Sequence, residues 1–172
     1  MLLSLALAVS CTPSRTRSVG APVVVDRDLP TAPSATVMGA SGTPPAELLG
    51  TFQDDYGSTH HVTASAWRHG THSTYEVLSW HSDSQYFIAR NASTNRSGGG
   101  LYTRIDWMPL RDMAPYTLAF CLSAYEANTP AEAAATRVAN RSTPKTGCNR
   151  FPFSRLKRVA SPLDSAASPS VR

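Results

Sequence analysis

Between residues 51 and 125 the chain repeats one pattern: short runs of alternating apolar and polar residues, broken by polar turns at spacings of about ten residues. Successive side chains on a strand point to opposite faces, so each run is a half-buried strand that needs partners. Strands in close succession pair most simply with the next one along. The pattern therefore predicts a mainly β fold: a small antiparallel meander closed as a barrel or packed as a sandwich.

The runs are readable one by one. Thr51-Phe52-Gln53 is extended, and Asp54-Asp55-Tyr56-Gly57-Ser58 turns the chain. One strand is expected over residues 60–67, with Val62, Ala64 and Ala66 on one face. After a loop at 68–72, residues 75–81 set Glu76, Leu78 and Trp80 against Tyr75, Val77 and Ser79. A further strand follows over 85–90, and NASTNRSGGG at 91–100 is expected to be a flexible loop. Leu101, Thr103, Ile105 and Trp107 then oppose Tyr102, Arg104, Asp106 and Met108, until Pro109 ends the ladder. In the next run Tyr116, Leu118, Phe120 and Leu122 share one face, and Ala119, Cys121 and Ser123 the other.

One short helix is expected on the C-terminal side, at about residues 130–139. Thr129 suits its N-cap, Pro130 its first position, and Glu132 a capping box. The alanines that follow are strong helix formers.

The three cysteines divide into one and two. Cys11 ends an apolar run through Ala8-Val9-Ser10, which has the form of a lipoprotein processing site with alanine where leucine is usual. Plain secretory cleavage is the alternative. The expected layout is a leader at 1–10, lipidation of Cys11, and a Pro/Ser/Thr-rich tether at 11–45. One domain at 46–158 and a tail at 159–172 complete it. Outside the cytosol, Cys121 and Cys148 should pair.

The runs GTFQDDYGSTHHVTASAW, YFIARN, LYTRIDW, FCLSAYEANTPAEAAA and GCNRFPF resemble uncharacterised small secreted or lipid-anchored bacterial proteins. The resemblance spans about residues 50–156. It implies a single extracytoplasmic domain and carries no catalytic residue over.

Five histidines fall between residues 60 and 81. His69, His72 and His81 are the weak candidates for a metal, although no established ligand spacing is present. His60 and His61 should point to opposite faces and cannot both join. Asp54 and Asp55, adjacent in a turn, more often satisfy backbone amides than act as acids. There is no GxSxG elbow, and Ser97-Gly98-Gly99-Gly100 lacks the lysine of a phosphate loop. No catalytic set and no cofactor are indicated.

Trp67, Trp80, Trp107, Tyr86 and Phe120 lie on different expected strands. Such aromatics usually build the core; an apolar or carbohydrate pocket in a barrel mouth is the functional reading. Residues 133–163 carry seven basic side chains and no acidic one, and the whole chain has net charge +4. Such a run is more often a solvated face; its functional reading is contact with anionic lipid or polysaccharide, and the expected compartment disfavours nucleic acid. The sequence thus points to a lipid-anchored extracytoplasmic binding or envelope-surface module without evident catalysis. The alternatives are a metal-dependent or hydrolytic enzyme using the His60 to His81 cluster, and a passive structural envelope component.

Overall fold

Eight strands follow in chain order, each antiparallel to the next, and the last returns to the first to close a barrel. They are β1 (Gly50–Asp54), β2 (Thr59–Val62), β3 (Ala66–His69), β4 (Ser73–His81), β5 (Tyr86–Asn91), β6 (Tyr102–Pro109), β7 (Leu118–Ala127) and β8 (Ser154–Arg158). One short helix, α1 (Pro130–Ala135), lies between β7 and β8. The computed structural model describes residues 40–159. The expected leader, Cys11 and its lipidation, the tether up to residue 39 and the tail from residue 160 lie outside the described residues.

An eight-stranded barrel has an interior just wide enough for side chains to fill. Here Phe52, Val62, Trp67, Tyr75, Val77, Trp80, Phe87, Ile105, Trp107, Leu118, Phe120 and Leu156 fill it. The rings interlock: Trp80 lies 4.7 Å from Phe87 and 6.0 Å from Trp107, and Trp67 lies 5.3 Å from Phe120. Truncating one such indole to alanine costs about 3–5 kcal/mol. The expected mainly β fold, its meander order and its one helix are therefore all present.

Four local expectations are corrected. The single strand at 60–67 is two strands, because Thr63 reverses the chain by accepting from the Ala66 N–H and donating to the Ala66 carbonyl. On β4, Trp80 joins Tyr75 and Val77 inside, since a bulge between Val77 and Ser79 adds a residue and inverts the alternation. The loop at 91–100 is pinned: the Asn95 side chain bonds both the N–H and the carbonyl of Thr74, and Asn91 bonds Gly98 and Tyr125. The helix stops at Ala135 rather than about 139, because Ala133 is its only buried residue and Thr136 turns extended. Its cap forms as expected at Thr129, but the Glu132 carboxylate reaches the N–H of Asn128, one residue early.

Two features of the outer surface decide the wall. Sequence alternation left β8 unrecognised; Leu156 is its one inward anchor, and it pairs with both β1 and β7. On β6 the outward side is buried as well, under α1 and the segment that follows. There Asp106 accepts from Arg104, Ser123 and Arg141, and Arg104 also reaches the Ala134 carbonyl and lies over the Tyr86 ring. This network fastens α1 to the barrel, and removing one partner of such a buried pair costs about 3–5 kcal/mol.

The two barrel ends differ. At one end Leu48, fully buried, plugs the interior, and Arg158 holds that plug through the carbonyls of Glu47 and Leu49. Residues 41–43 dock beside it along β4. In a meander with an even strand count the described chain enters and leaves at this same end. The other end carries the β1–β2 turn, the loop at 92–101 and the long segment between β7 and β8.

Candidate mouth cleft

The opening at the second end follows from strand lengths. β7 runs to Ala127, but β8 pairs with it only through Leu118, Ala119 and Phe120. Residues 121–125 therefore have no paired strand on that side; the segment at 148–153, tied to Cys121 by a disulfide, lies there without strand pairing. The gap is a cleft of about 520 Å³. Phe120, Leu122 and the disulfide Cys121–Cys148 form one side and floor; Asp54, Ser58 and His69 form the other. Three exposed aromatic rings stand on its rim: Tyr56 (79% exposed), Tyr125 (57%) and Phe151 (70%).

The disulfide is the expected one, with Cα atoms 5.4 Å apart, and it pulls the 148–153 segment against β7. Phe151 is then presented by a tight reversal in which Cys148 and Phe151 exchange both backbone hydrogen bonds. The two central residues, Asn149 (φ 49°) and Arg150 (φ 73°), are left-handed. Asparagine tolerates that region, but arginine is strained in it by about 1–2 kcal/mol. Strain of this kind concentrates at functional sites.

Below the cleft sits a buried polar chain. Asp54 accepts from the backbone N–H groups of Tyr56 and Ser58, as a turn aspartate should. Its other oxygen lies 3.1 Å from Nε2 of His60, a fully buried ring. The Trp67 indole N–H points at Nδ1 of His60 from 3.0 Å. Since an indole can only donate, Nδ1 is the acceptor and Nε2 carries the proton, which it gives to Asp54. His69 stacks on His60 with ring centres 4.3 Å apart, and its ring makes no protein hydrogen bond among the described residues.

The protonation states agree with this wiring. Burial lowers the His60 pKa, outweighing the bond to Asp54 that would raise it, and His69 adds to the lowering. Burial also lowers His69, with Asp54 opposing and His72 assisting. For Asp54 burial alone would raise the pKa, yet the bonds from His60, Ser58 and Tyr56 together outweigh it and hold the carboxyl below its usual range. The chain is a neutral histidine between an indole and a carboxylate, with neither ring nitrogen spare for a general base.

The metal candidates do not converge as a trio. His72 is exposed beyond β3, and His81 stacks on Tyr86 outside β4. Among the described residues, the set whose ligand atoms come within 4.8 Å of one another is Asp54, His60 and His69. Ligation through Nε2 of His60 would need the proton on Nδ1, facing the Trp67 donor. The wiring opposes a metal there.

Of the five residues expected to line a pocket, only Phe120 reaches the cleft. Trp67, Trp80 and Trp107 are 1%, 5% and 2% exposed in the core, and Tyr86 lies on the outer wall beneath Arg104. The three indoles belong to the core, as such aromatics usually do, and Tyr86 lies outside the barrel; none of these four lines the cleft. The rim residues Tyr56 and Phe151 carried a legible signal, an aromatic ring inside a polar turn with no alternation around it. The basic run is also partly spent on structure: Arg141 bonds Trp107, Gln85 and Asp106, and Arg155 pairs with Asp55. Comparison with protein-family models, with curated proteins and with solved structures finds no match.

Proposed function

We propose that this protein is an extracytoplasmic binding module that holds a neutral carbohydrate in the mouth cleft and performs no chemistry on it. One observation carries the reading: three exposed aromatic rings surround a cleft whose lining offers no unpaired charge. Its one carboxylate, Asp54, is saturated from within, and no lysine or arginine lines it. Aromatic faces with neutral hydrogen-bonding groups such as Ser58, His69, Asn149 and Ser154 match the apolar face and hydroxyl edge of a sugar ring. Charged lipid headgroups and acidic polysaccharides find no counter-charge there.

The disulfide supports an oxidising compartment. The described chain enters the barrel at the plugged end, opposite the cleft. The fully engaged His60 supports binding over catalysis.

The test is an array of neutral and acidic glycans probed with the full chain and with Tyr125→Ala and Phe151→Ala variants. Neutral glycans should bind, and each exposed-ring truncation should weaken binding about five- to tenfold with little change in melting temperature. Binding confined to acidic glycans, or undiminished in the double variant, would overturn the reading.

A further inference from the structure

We infer that the cleft continues past Tyr125 into a second lobe, and that the site takes an extended glycan chain rather than a single sugar. This rests on the carbohydrate reading and deepens it. A second hollow of about 220 Å³ lies at the same barrel end, between β4, the end of β5 and the loop at 92–101. It shares Leu122 and Tyr125 with the larger cleft, so the exposed Tyr125 ring stands at the junction of the two. Alone the second hollow falls below the roughly 300 Å³ at which ligand pockets begin, whereas the first lies within that range. The smaller space is therefore an extension of the larger one.

The second lobe is preformed. Asn91, 2% exposed, donates to the carbonyls of Gly98 (2.9 Å) and Tyr125 (2.8 Å) and accepts from Thr103 (2.5 Å). Asn95 locks the same loop to Thr74. At Gly98, with φ +61°, a Cβ would come 2.9 Å from the Tyr125 carbonyl, so glycine alone lets the loop approach this closely. A wall held this way loses little entropy on binding. Its polar groups are the hydroxyls of Ser97, which is exposed, and of Ser73 and Tyr75, which bond one another. They are neutral donors and acceptors, like those of the first lobe. A linear ligand crossing Tyr125 would place one unit in each lobe and a third against the ring between them.

Calorimetry with cello-, chito- and manno-oligosaccharide series, from monosaccharide to hexasaccharide, tests this on the full chain. In the series that binds, affinity should rise about tenfold from disaccharide to tetrasaccharide and then level off. Ser97→Trp, an exposed position at the second lobe, should abolish that rise. Equal affinity along the series, or an undiminished rise in Ser97→Trp, would overturn the two-lobed site and leave the cleft's carbohydrate reading standing. Silence across all three series would overturn both.

Discussion

The indole N–H of Trp67 donates to Nδ1 of His60 from 3.0 Å, deep in the barrel wall. That bond sets the tautomer of the imidazole, and with it the role of the Asp54–His60–His69 cluster. A histidine that receives a proton donor on one nitrogen and gives its own proton to a carboxylate has no lone pair left for a metal or a substrate.

Zinc should therefore leave the melting temperature of the protein unchanged. In Trp67→Phe the donor is gone, Nδ1 can take the proton, and Nε2 becomes available between Asp54 and His69. This variant should lose about 1–2 kcal/mol from the unsatisfied buried nitrogen and should gain a zinc-dependent rise in melting temperature. Thermal shift with and without zinc measures both. A zinc-induced rise in the parent that disappears in His69→Gln would refute the tautomer assignment.

Acid should destabilise the fold, and in two steps. His60 and His69 bind protons less readily in the folded barrel than their ordinary 6.5 implies, so below about pH 6.5 the unfolded chain takes up protons the folded one refuses. Asp54 is likewise lowered from 3.8, so a further loss follows as pH falls beneath that value. Melts recorded at intervals from about pH 8 down to about pH 3 should show both declines. A melting temperature that holds level from about pH 7 to about pH 5 would contradict the first.

Replacing Cys121 with Ser should cost about 3–4 kcal/mol, from the chain entropy regained across a separation of 27 residues. The same change frees the 148–153 segment from β7, so limited proteolysis should cut near Phe151. An unchanged melt under non-reducing conditions would show that the bridge contributes nothing.

Arg150→Gly should stabilise the protein by about 0.5–1 kcal/mol, since glycine enters the left-handed region without strain and Asn-Gly suits a turn with two such residues. The Phe151 ring stays where the turn puts it, so glycan affinity should persist. Chemical denaturation checks the first expectation; a loss of stability would mean that the Arg150 side chain, not the backbone, governs this turn.

Several elements were legible because their causes are local. Alternation in Thr103, Ile105 and Trp107 specified which side of β6 faces in, and Thr129-Pro130 marked the start of α1. Other features escaped because their causes are not local. The bulge that turns Trp80 inward depends on how β4 pairs with β5. β8 offers a single inward Leu156 among basic neighbours, and only closure against β1 makes it a strand. Asp106 and Arg104 read as an exposed face until α1 folds over them. The indoles are core, as the commoner reading of such aromatics has it, but sequence alternation tells only which side a ring is on, not whether that side is filled.

The chain's own order of residues determined the meander and the helix cap, which follow from spacing along a strand or a turn, and the cysteine count determined the partner of Cys121. The tertiary structure alone decided that the sheet closes on itself with the tryptophans as its filling. It also decided that β8 stops short of the end of β7. That difference in strand length opens the wall, and it gathers Tyr56, Tyr125 and Phe151 around one cleft, because three rings so far apart in sequence can meet only when a closed barrel brings their turns to the same end.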